Sequence, residues 1–354
     1  MRKNRSSLPN DEYWALRSNE RMDIYMKNCE SVINRVDRAY AKAIDDINKD
    51  IKKIFGKFID ETGLSEEEAK KFLNGMINIK EMDDIYARIN LIEDIRIRDR
   101  IKKVIHSTRS FKARITRLEA VKESARVNMA RVADVQLRDM DKLFIDNINE
   151  AYYRSIYDLQ QGINVGFSFD KIPTDRIEEI LKNNWSGINY SDRVWINTTV
   201  LADKVQDVLI SGFTSGKSYK KMAKELEGLT DMGKYATRRL VRTEMCAMAN
   251  RAEMEGYKEV GIDKYVFVAT LDSRTSTQCQ KLDGKIFNVK DAKQGVNMPS
   301  MHPNCRSTTI PYMGEEWFKG IKRRARDPKT GKTYIINNMS YEEWYKKYVS
   351  ANKK

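Results

Sequence analysis

The amino-acid sequence predicts an α+β protein that is mostly α-helical, with an elongated N-terminal half and a small β-rich module near the C-terminus. Two observations indicate this fold class. No proline occurs between Pro9 and Pro173 and no glycine between Gly75 and Gly162, so the two strongest helix breakers are missing from a long stretch. After residue 260, β-branched and aromatic runs alternate with glycine, aspartate and proline turns, which is typical of short strands.

The helical half contains two apolar stripes with the three- and four-residue spacing of a helix face. The first consists of Val36, Tyr40, Ile44, Ile47, Ile51, Ile54 and Phe58. The second consists of Leu137, Met140, Phe144 and Ile148. Between them, Ser65 followed by Glu68 predicts a capping box at the start of a helix. We expect these stripes to form helix–helix core rather than a cofactor-binding face.

The second half begins with a predicted hinge in GINVGFSFDKIPTD, after Gly162. Helices are expected at about 175–183, 192–211, 218–227 and 232–258. Three strands are expected in DKYVFVATL, GKIFNV and STTIPYM, followed by a helix in YEEWYKKYV. The predicted domains are 1–162 (extended and helical), 163–231 (a helical connecting region), 232–315 (a helix with short strands) and 316–354 (a basic C-terminal tail).

Composition excludes several classes of protein. The longest apolar run, YVFVATL, is far shorter than a membrane span, so no membrane association is expected. The N-terminus has basic residues but no apolar region, unlike a signal peptide. Four cysteines in 354 residues do not form a disulfide framework, which favours a reducing compartment.

The net charge of +14 is concentrated toward the C-terminus, where residues 319–354 contain eleven Lys and Arg against three Asp and Glu. Such a segment is either a solvated face or a site for a polyanion, of which nucleic acid is the commonest. The residues predicted to contact double-stranded DNA without sequence preference are Lys319, Lys322, Arg323, Arg324, Arg326, Lys329 and Lys332. No aromatic residues are interleaved with them, so stacking on single strands fits less well.

The chemically distinctive residues lie in TLDSRTSTQCQKLDGKIF and MPSMHPNCRSTTIPY. As a metal site, Cys279, His302 and Cys305 would be zinc ligands, with Asp272 as a fourth. Neither cysteine has a Cys partner two residues away, so the pattern is only half of an ordinary zinc site. As an enzyme, the chain would be a metal-dependent hydrolase or transferase using these three residues, or would use Cys279 as a nucleophile with His302 as base.

A structural role needs no chemistry from these residues, and the sequence favours it. Ser and Thr in SRTSTQ can cap and turn the backbone. Asp283 and Gly284 predict a hairpin turn. Charge-assisted hydrogen bonds are expected within a group of candidate cross-links. This group consists of the two arginines Arg274 and Arg306 and the carboxylates Glu244 and Asp272.

Three blocks of the sequence resemble the head morphogenesis, or minor head, proteins of phages that are related to the F protein of phage Mu. The blocks are RRLVRTE with Asn250, ATLDSRTSTQCQKLDGKIF and MPSMHPNCRS, and the signature that they mark covers about residues 232–312. EYWALR, RARDPKTGKTY and SYEEWY are similar to versions from phages of Gram-positive hosts. The signature residues are Arg242, Glu244, Asp272, Arg274, Cys279, Asp283, Gly284, His302, Cys305 and Arg306.

The resemblance implies a minor capsid protein that binds the portal protein and assists head assembly or DNA delivery. Scaffolding or major capsid protein would be further partners. The protein would lie in the virion, inside the capsid near the portal, and in the host cytoplasm during assembly. Many relatives have Cys where this chain has Ser276 and Ser307. We therefore expect no catalytic residue, no cofactor and no bound zinc.

Overall fold

The computed structural model describes residues 10–56, 65–111, 114–163, 166, 168–327 and 330–350. The chain is 70% helical, and its strands form small antiparallel sheets. This confirms the predicted fold class. None of the helices in the described ranges is long and apolar enough to cross a membrane.

The helices follow the proline- and glycine-poor stretches of the sequence. In chain order they are α1 (Asn10–Phe55), α2 (Glu66–Leu73), α3 (Asp83–Ala87), α4 (Ile95–Phe111), α5 (Arg117–Ile163), α6 (Thr174–Lys182), α7 (Tyr190–Thr214), α8 (Tyr219–Glu259), α9 (Thr277–Leu282), α10 (Glu315–Gly320) and α11 (Tyr341–Trp344). The strands are β1 (Met76–Asn78), β2 (Arg114–Thr116), β3 (Lys264–Val268), β4 (Ile286–Asn288), β5 (Thr308–Pro311), β6 (Lys322–Arg326) and β7 (Thr333–Asn337).

Two compact units divide the chain. The helical unit comprises Glu30–Asp141 and Tyr190–Arg238. The signature unit comprises Met1–Cys29, Lys142–Asn189 and Arg239–Lys354, as far as these ranges are described. The predicted domain boundaries differ from this division and stay predictions.

The buried residues of α1 and α5 confirm both predicted stripes. Every described member of the first stripe is buried in α1, and every member of the second is buried in α5. Phe58 lies outside the described residues. Ser65 and Glu68 form the predicted capping box of α2. A two-stranded sheet of β1 and β2 was not expected in this half, where the sequence predicted helix alone.

The two helices predicted at 218–227 and 232–258 are in fact one helix, α8. Gly228 lies between the two predicted helices, and the helix continues through it although glycine weakens a helix by about 1 kcal/mol. Gly233, one turn further on, is a close-packing position. A Cβ there would lie 2.6 Å from Cε1 of Tyr40 and 2.9 Å from Cδ1 of Leu201. Glycine thus lets side chains of the helical unit approach the α8 backbone.

The signature unit contains the predicted three-stranded sheet, with strand order β4-β3-β5 and both pairings antiparallel. A second sheet, the hairpin β6–β7, follows it. The two are joined by a bridge between Leu271 and Ala325 and by the Arg326 backbone N–H, which donates to the carbonyl of Leu271 at 2.9 Å. The basic tail is therefore a folded hairpin in its described part.

The turn predicted at Asp283 and Gly284 joins a helix to a strand, so the hairpin prediction was wrong. Ser276 caps α9, and the helix continues through Leu282. Gly284 then turns the chain with φ +76°, a conformation that favours glycine, and β4 pairs with β3. The preceding apolar residues therefore belong to a short helix, which a turn dipeptide alone does not distinguish from a strand.

A buried charged cluster lies elsewhere in the signature unit. Arg21 Nη1 is 3.4 Å from Asp158 Oδ2, and Arg21 Nε is 3.7 Å from Glu253 Oε1. All three side chains are almost completely buried. Burial raises the pKa of Glu253 to about 7, against the opposing charge of Arg21. Two carboxylates thus share one arginine, and one of them, Glu253, loses its proton only near neutral pH.

Candidate functional site

The first cross-link of the signature unit is the ion pair of Asp272 and Arg306. The Arg306 guanidinium donates to both carboxylate oxygens, with Nη2 at 2.9 Å from Oδ1. The backbone N–H of Arg274 also donates to Oδ1 at 2.9 Å. Burial is the largest single effect and raises the pKa of Asp272, but the hydrogen bonds and charge of Arg306, together with the hydrogen bonds from Arg274 N–H and Thr275, lower it overall. The loop after β3 is thereby tied to the segment that precedes β5.

Arg274 contributes little through its charge, although the sequence placed it among the cross-links. Its guanidinium is 4.0 Å from Asp272 and 66% exposed. Glu244, the other expected carboxylate partner, is buried on α8 and accepts a hydrogen bond from the indole Nε1 of Trp185 at 3.2 Å. Arg242 lies half-buried on the same helix. The contribution of Trp185 was not predicted, because it lies about 60 residues before its partner with no motif around it.

The second cross-link centres on Asp283. Arg323 Nη1 and Nη2 donate to its two oxygens, each at 2.7 Å. The backbone N–H groups of Ala269 and Tyr341 complete the shell, each at 2.8 Å. Arg323 Nη2 also donates to the carbonyl of Ala269 at 2.8 Å. One buried carboxylate therefore holds the end of β3, the hairpin β6–β7 and the start of α11.

Arg323 therefore has a different environment from the rest of the basic set in which the sequence placed it. Its side chain is 7% exposed and its guanidinium is bound inside the protein, so it is not available to a phosphate. Lys322, Arg324 and Arg326 alternate with it along β6 and are half-exposed. Arg324 pairs with Asp23 at 2.7 Å.

The remaining basic residues lie at the ends of these elements. Lys319 is exposed on α10, and Lys332 is exposed in the turn before β7. Lys329 lies outside the described residues. The described and accessible members of this basic set are thus spread along the hairpin β6–β7 and the short helix α10 before it.

A cluster of sulfur and imidazole groups lies under the sheet. Cys279 Sγ is 3.3 Å from His302 Nε2 and 3.9 Å from Cys305 Sγ. The two cysteines are 1% and 2% exposed, and they pack with Phe267, Ala269, Met301 and Cys246. The sequence indicated Cys279, His302 and Cys305 but not Cys246, which lies on α8 between RRLVRTE and Asn250 and donates to the carbonyl of Ser307 at 3.6 Å.

His302 has one defined tautomer in this setting. Its Nδ1 is 2.9 Å from the carbonyl oxygen of Pro303, which can only accept, so Nδ1 carries the hydrogen. In the neutral ring, Nε2 is then an acceptor, and the hydroxyl of Ser276 donates to it at 2.8 Å. Asn304 follows in the same loop and has φ 58°. Its backbone N–H donates to Thr243 Oγ1 at 2.9 Å.

The thiols of the cluster are not equivalent. Hydrogen bonds from Cys246 and, to a smaller extent, from Cys279 lower the pKa of Cys305. The hydrogen bond between Cys279 and Cys305 raises the pKa of Cys279. The pKa of His302 is raised, chiefly by Cys305. A nucleophile needs an accessible thiolate. Cys279 is a buried thiol with a raised pKa, so its environment does not suit a nucleophile.

Comparisons with known proteins show similarity to phage proteins. Residues 203–310 match the family model described as "Phage Mu protein F like protein". The chain is 24% identical over 305 residues to "Minor head protein GP7" of Bacillus phage SPP1, covering 80% of this chain and 97% of that protein. No solved structure matches.

Two further relatives are matched over smaller parts of their length. One is "NAD(+)--arginine ADP-ribosyltransferase EFV" of Enterococcus faecalis, 30% identical over 217 residues. The match covers 57% of this chain and 43% of that protein. The other is an uncharacterised protein of Haemophilus influenzae, 29% identical over 114 residues, with 31% of this chain and 25% of that protein covered. The chain thus spans less than half the length of each of these two relatives.

Proposed function

We propose that this chain, which belongs to the phage minor head protein family, has a structural role as a minor capsid protein in head assembly. The family resemblance predicted from the three sequence blocks is confirmed. The observation that carries the proposal is the match to a minor head protein over 97% of that protein's length. The proposed location is the virion, inside the capsid near the portal, after assembly in the host cytoplasm.

The distribution of the signature residues supports a structural role rather than catalysis. Asp272 and Asp283 each accept hydrogen bonds from an arginine and from backbone N–H groups, which leaves neither as a general base. Cys279 and Cys305 are buried. Polar groups that bond to one another inside the protein, instead of facing a cleft, are suited to stabilising the fold.

The first experiment tests incorporation into heads. A phage with this gene deleted is complemented with wild-type protein or with one of two variants of the same loop, and purified heads are analysed by quantitative mass spectrometry. We expect a few wild-type copies per head, loss of Asp272→Ala because its buried pair is broken, and normal levels of the matched control Arg274→Ala. Normal heads without the wild-type protein would contradict the proposal.

The proposed partner inside the head is the portal protein, with scaffolding or major capsid protein as further partners. The test is co-expression of the tagged full chain with the portal protein of the same phage, followed by capture and gel filtration. A stable complex that survives high salt is expected. If the portal protein is not retained while the chain is captured from intact heads, another capsid component is the partner.

Non-specific binding of double-stranded DNA is the second part of the proposal. The accessible charges of the described hairpin region support it, and Arg323 is now excluded from the set. Lys319, Arg326 and Lys332 are three cations at separate positions of this region. Each phosphate that they neutralise contributes about −0.9 to the slope of log affinity against log salt.

The DNA test replaces these three residues together by alanine. Affinity for every sequence should fall, and the salt slope should become shallower by up to about 2.7. The matched control replaces Lys220, Lys221 and Lys224, three exposed lysines of α8, so that the net charge changes equally. An equal effect of both triple variants would mean that net charge alone matters. No effect of the first would remove the hairpin from the DNA proposal.

A further inference from the structure

Three metal-ligating atoms converge in the signature unit. Cys279 Sγ, His302 Nε2 and Cys305 Sγ all lie within 4.8 Å of one another. Tetrahedral zinc, with Zn–S about 2.3 Å and Zn–N about 2.0–2.1 Å, separates two sulfurs by about 3.8 Å and a sulfur from a nitrogen by about 3.6 Å. The observed Sγ–Sγ distance is 3.9 Å, and Cys279 Sγ is 3.3 Å from Nε2. Two of the three donor separations are therefore close to those around tetrahedral zinc, and the third is no more than 4.8 Å.

The orientation of His302 points to a ligand independently of these distances. Metal-binding histidines usually donate their second ring N–H to a carbonyl or carboxylate, which fixes the tautomer. Here Nδ1 donates to the carbonyl of Pro303 at 2.9 Å, and Nε2 lies 3.3 Å from Cys279 Sγ and 2.8 Å from the Ser276 hydroxyl. The ring is thus held in the tautomer and direction that metal coordination requires.

We propose that Cys279, His302 and Cys305 bind one zinc ion. Two thiolates and an imidazole select zinc over magnesium or calcium, which prefer oxygen ligands. The ion would join α9 to the loop before β5, two segments separated by more than 20 residues. Because the cysteines are buried in a hydrophobic cluster, the ion has a structural role.

The fourth coordination position is next to Cys246 and Ser276. Cys246 belongs to the same buried cluster, and Ser276 Oγ is 2.8 Å from His302 Nε2. Their side chains, or a water molecule, complete the tetrahedron. The proposal revises the expectation of no zinc, which rested on the absence of closely spaced cysteine pairs. The fold supplies the pairing that spacing along the chain did not reveal.

The experiment measures metal in the full chain, purified without chelators or an immobilised-metal column. Elemental analysis should give one zinc per chain. Cobalt substitution should give the intense visible bands of a tetrahedral ion together with thiolate charge-transfer bands. Because the cobalt spectrum is recorded on wild-type protein, this part of the test does not depend on whether a variant folds.

The variants assign the ligands. Cys279→Ser, Cys305→Ser and His302→Gln should each lose most of the zinc, whereas the controls Cys29→Ala and His106→Gln should retain it. Loss in Cys246→Ser would make Cys246 the fourth ligand. Zinc that persists in both Cys279→Ser and Cys305→Ser would overturn the proposal. It would also be overturned by wild-type protein that takes up no zinc or cobalt, including protein in which thiol labelling shows a Cys279–Cys305 disulfide.

Discussion

The replacement of Asp283 by alanine tests the cross-linking role of the signature residues most directly. In the folded protein this carboxylate is completely buried and accepts four hydrogen bonds, two of them from Arg323. Removal of the carboxylate leaves the guanidinium of Arg323, only 7% exposed, without its counter-charge. It also leaves the N–H groups of Ala269 and Tyr341 without their acceptor.

The expected cost follows from the buried charge. Loss of one partner of a buried ion pair destabilises a protein by about 3–5 kcal/mol. Domains are stable by about 5–15 kcal/mol, so this is a large share of the total. Arg323→Ala should cost a similar amount, because it leaves the Asp283 carboxylate buried. The double variant should cost less than the sum of the two, since neither charge is then left alone.

The assay is urea unfolding of the full chain, followed by tryptophan fluorescence. Trp344, one of five tryptophans, is completely buried in the cluster of Leu271, Ala325 and Tyr341, so its share of the emission reports on this part of the unit. The matched control is Lys281→Ala, an exposed position two residues away, with an expected change within about 0.5 kcal/mol. A double-mutant coupling energy near zero, or Asp283→Ala as stable as the control, would refute the cross-link.

Three other predictions concern buried groups of the signature unit. Because the pKa of Asp272 is lowered, the stability that its charge contributes should be lost as the pH falls below about 4, so wild type and Asp272→Asn should converge in acid urea titrations. Burial raises the pKa of Glu253 to about 7, so wild-type stability should fall as the pH rises from about 4.3 to 7, and Glu253→Gln should flatten this slope. Gly256→Ala places a Cβ 2.0 Å from Ser155 Oγ and should cost about 1–3 kcal/mol in thermal unfolding, whereas Gly228→Ala, with nothing within 4 Å, should not destabilise the same helix. A pH-independent difference for either carboxylate, or equal effects of the two glycine variants, would contradict these assignments.

Local patterns in the sequence predicted much of the fold. Periodic apolar residues identified the cores of α1 and α5, and the Ser65 capping box marked the start of α2. The three strands of the central sheet were recognised from β-branched runs between turns. Each of these features depends on residues only a few positions apart, which a single sequence displays directly.

Interactions between distant residues were not predictable in this way. The sequence does not show that Arg323, unlike the basic residues around it, is buried and binds Asp283. Its orientation depends on how the side chains of β6 alternate between solvent and interior. Likewise, Cys246 lies in an ordinary helical sequence, and only the fold brings it to Cys279 and Cys305. The sequence therefore indicated many of the site residues, but not the partners that come from outside the motifs, such as Arg323 and Cys246.

The hydrogen bonds around Ala269 also have a consequence for biosynthesis. The carbonyl of Ala269 accepts from an arginine that follows it by 54 residues. At roughly 5–20 residues per second, the ribosome adds that arginine about 3–11 s after Ala269. Until then the strand Lys264–Val268 and the turn that contains Asp283 lack the hydrogen bonds that Arg323 supplies. A nascent chain that pauses in this interval is accessible to chaperones and proteases. A truncated message that ends before Arg323 yields a signature unit without the cross-link between Asp283 and Arg323.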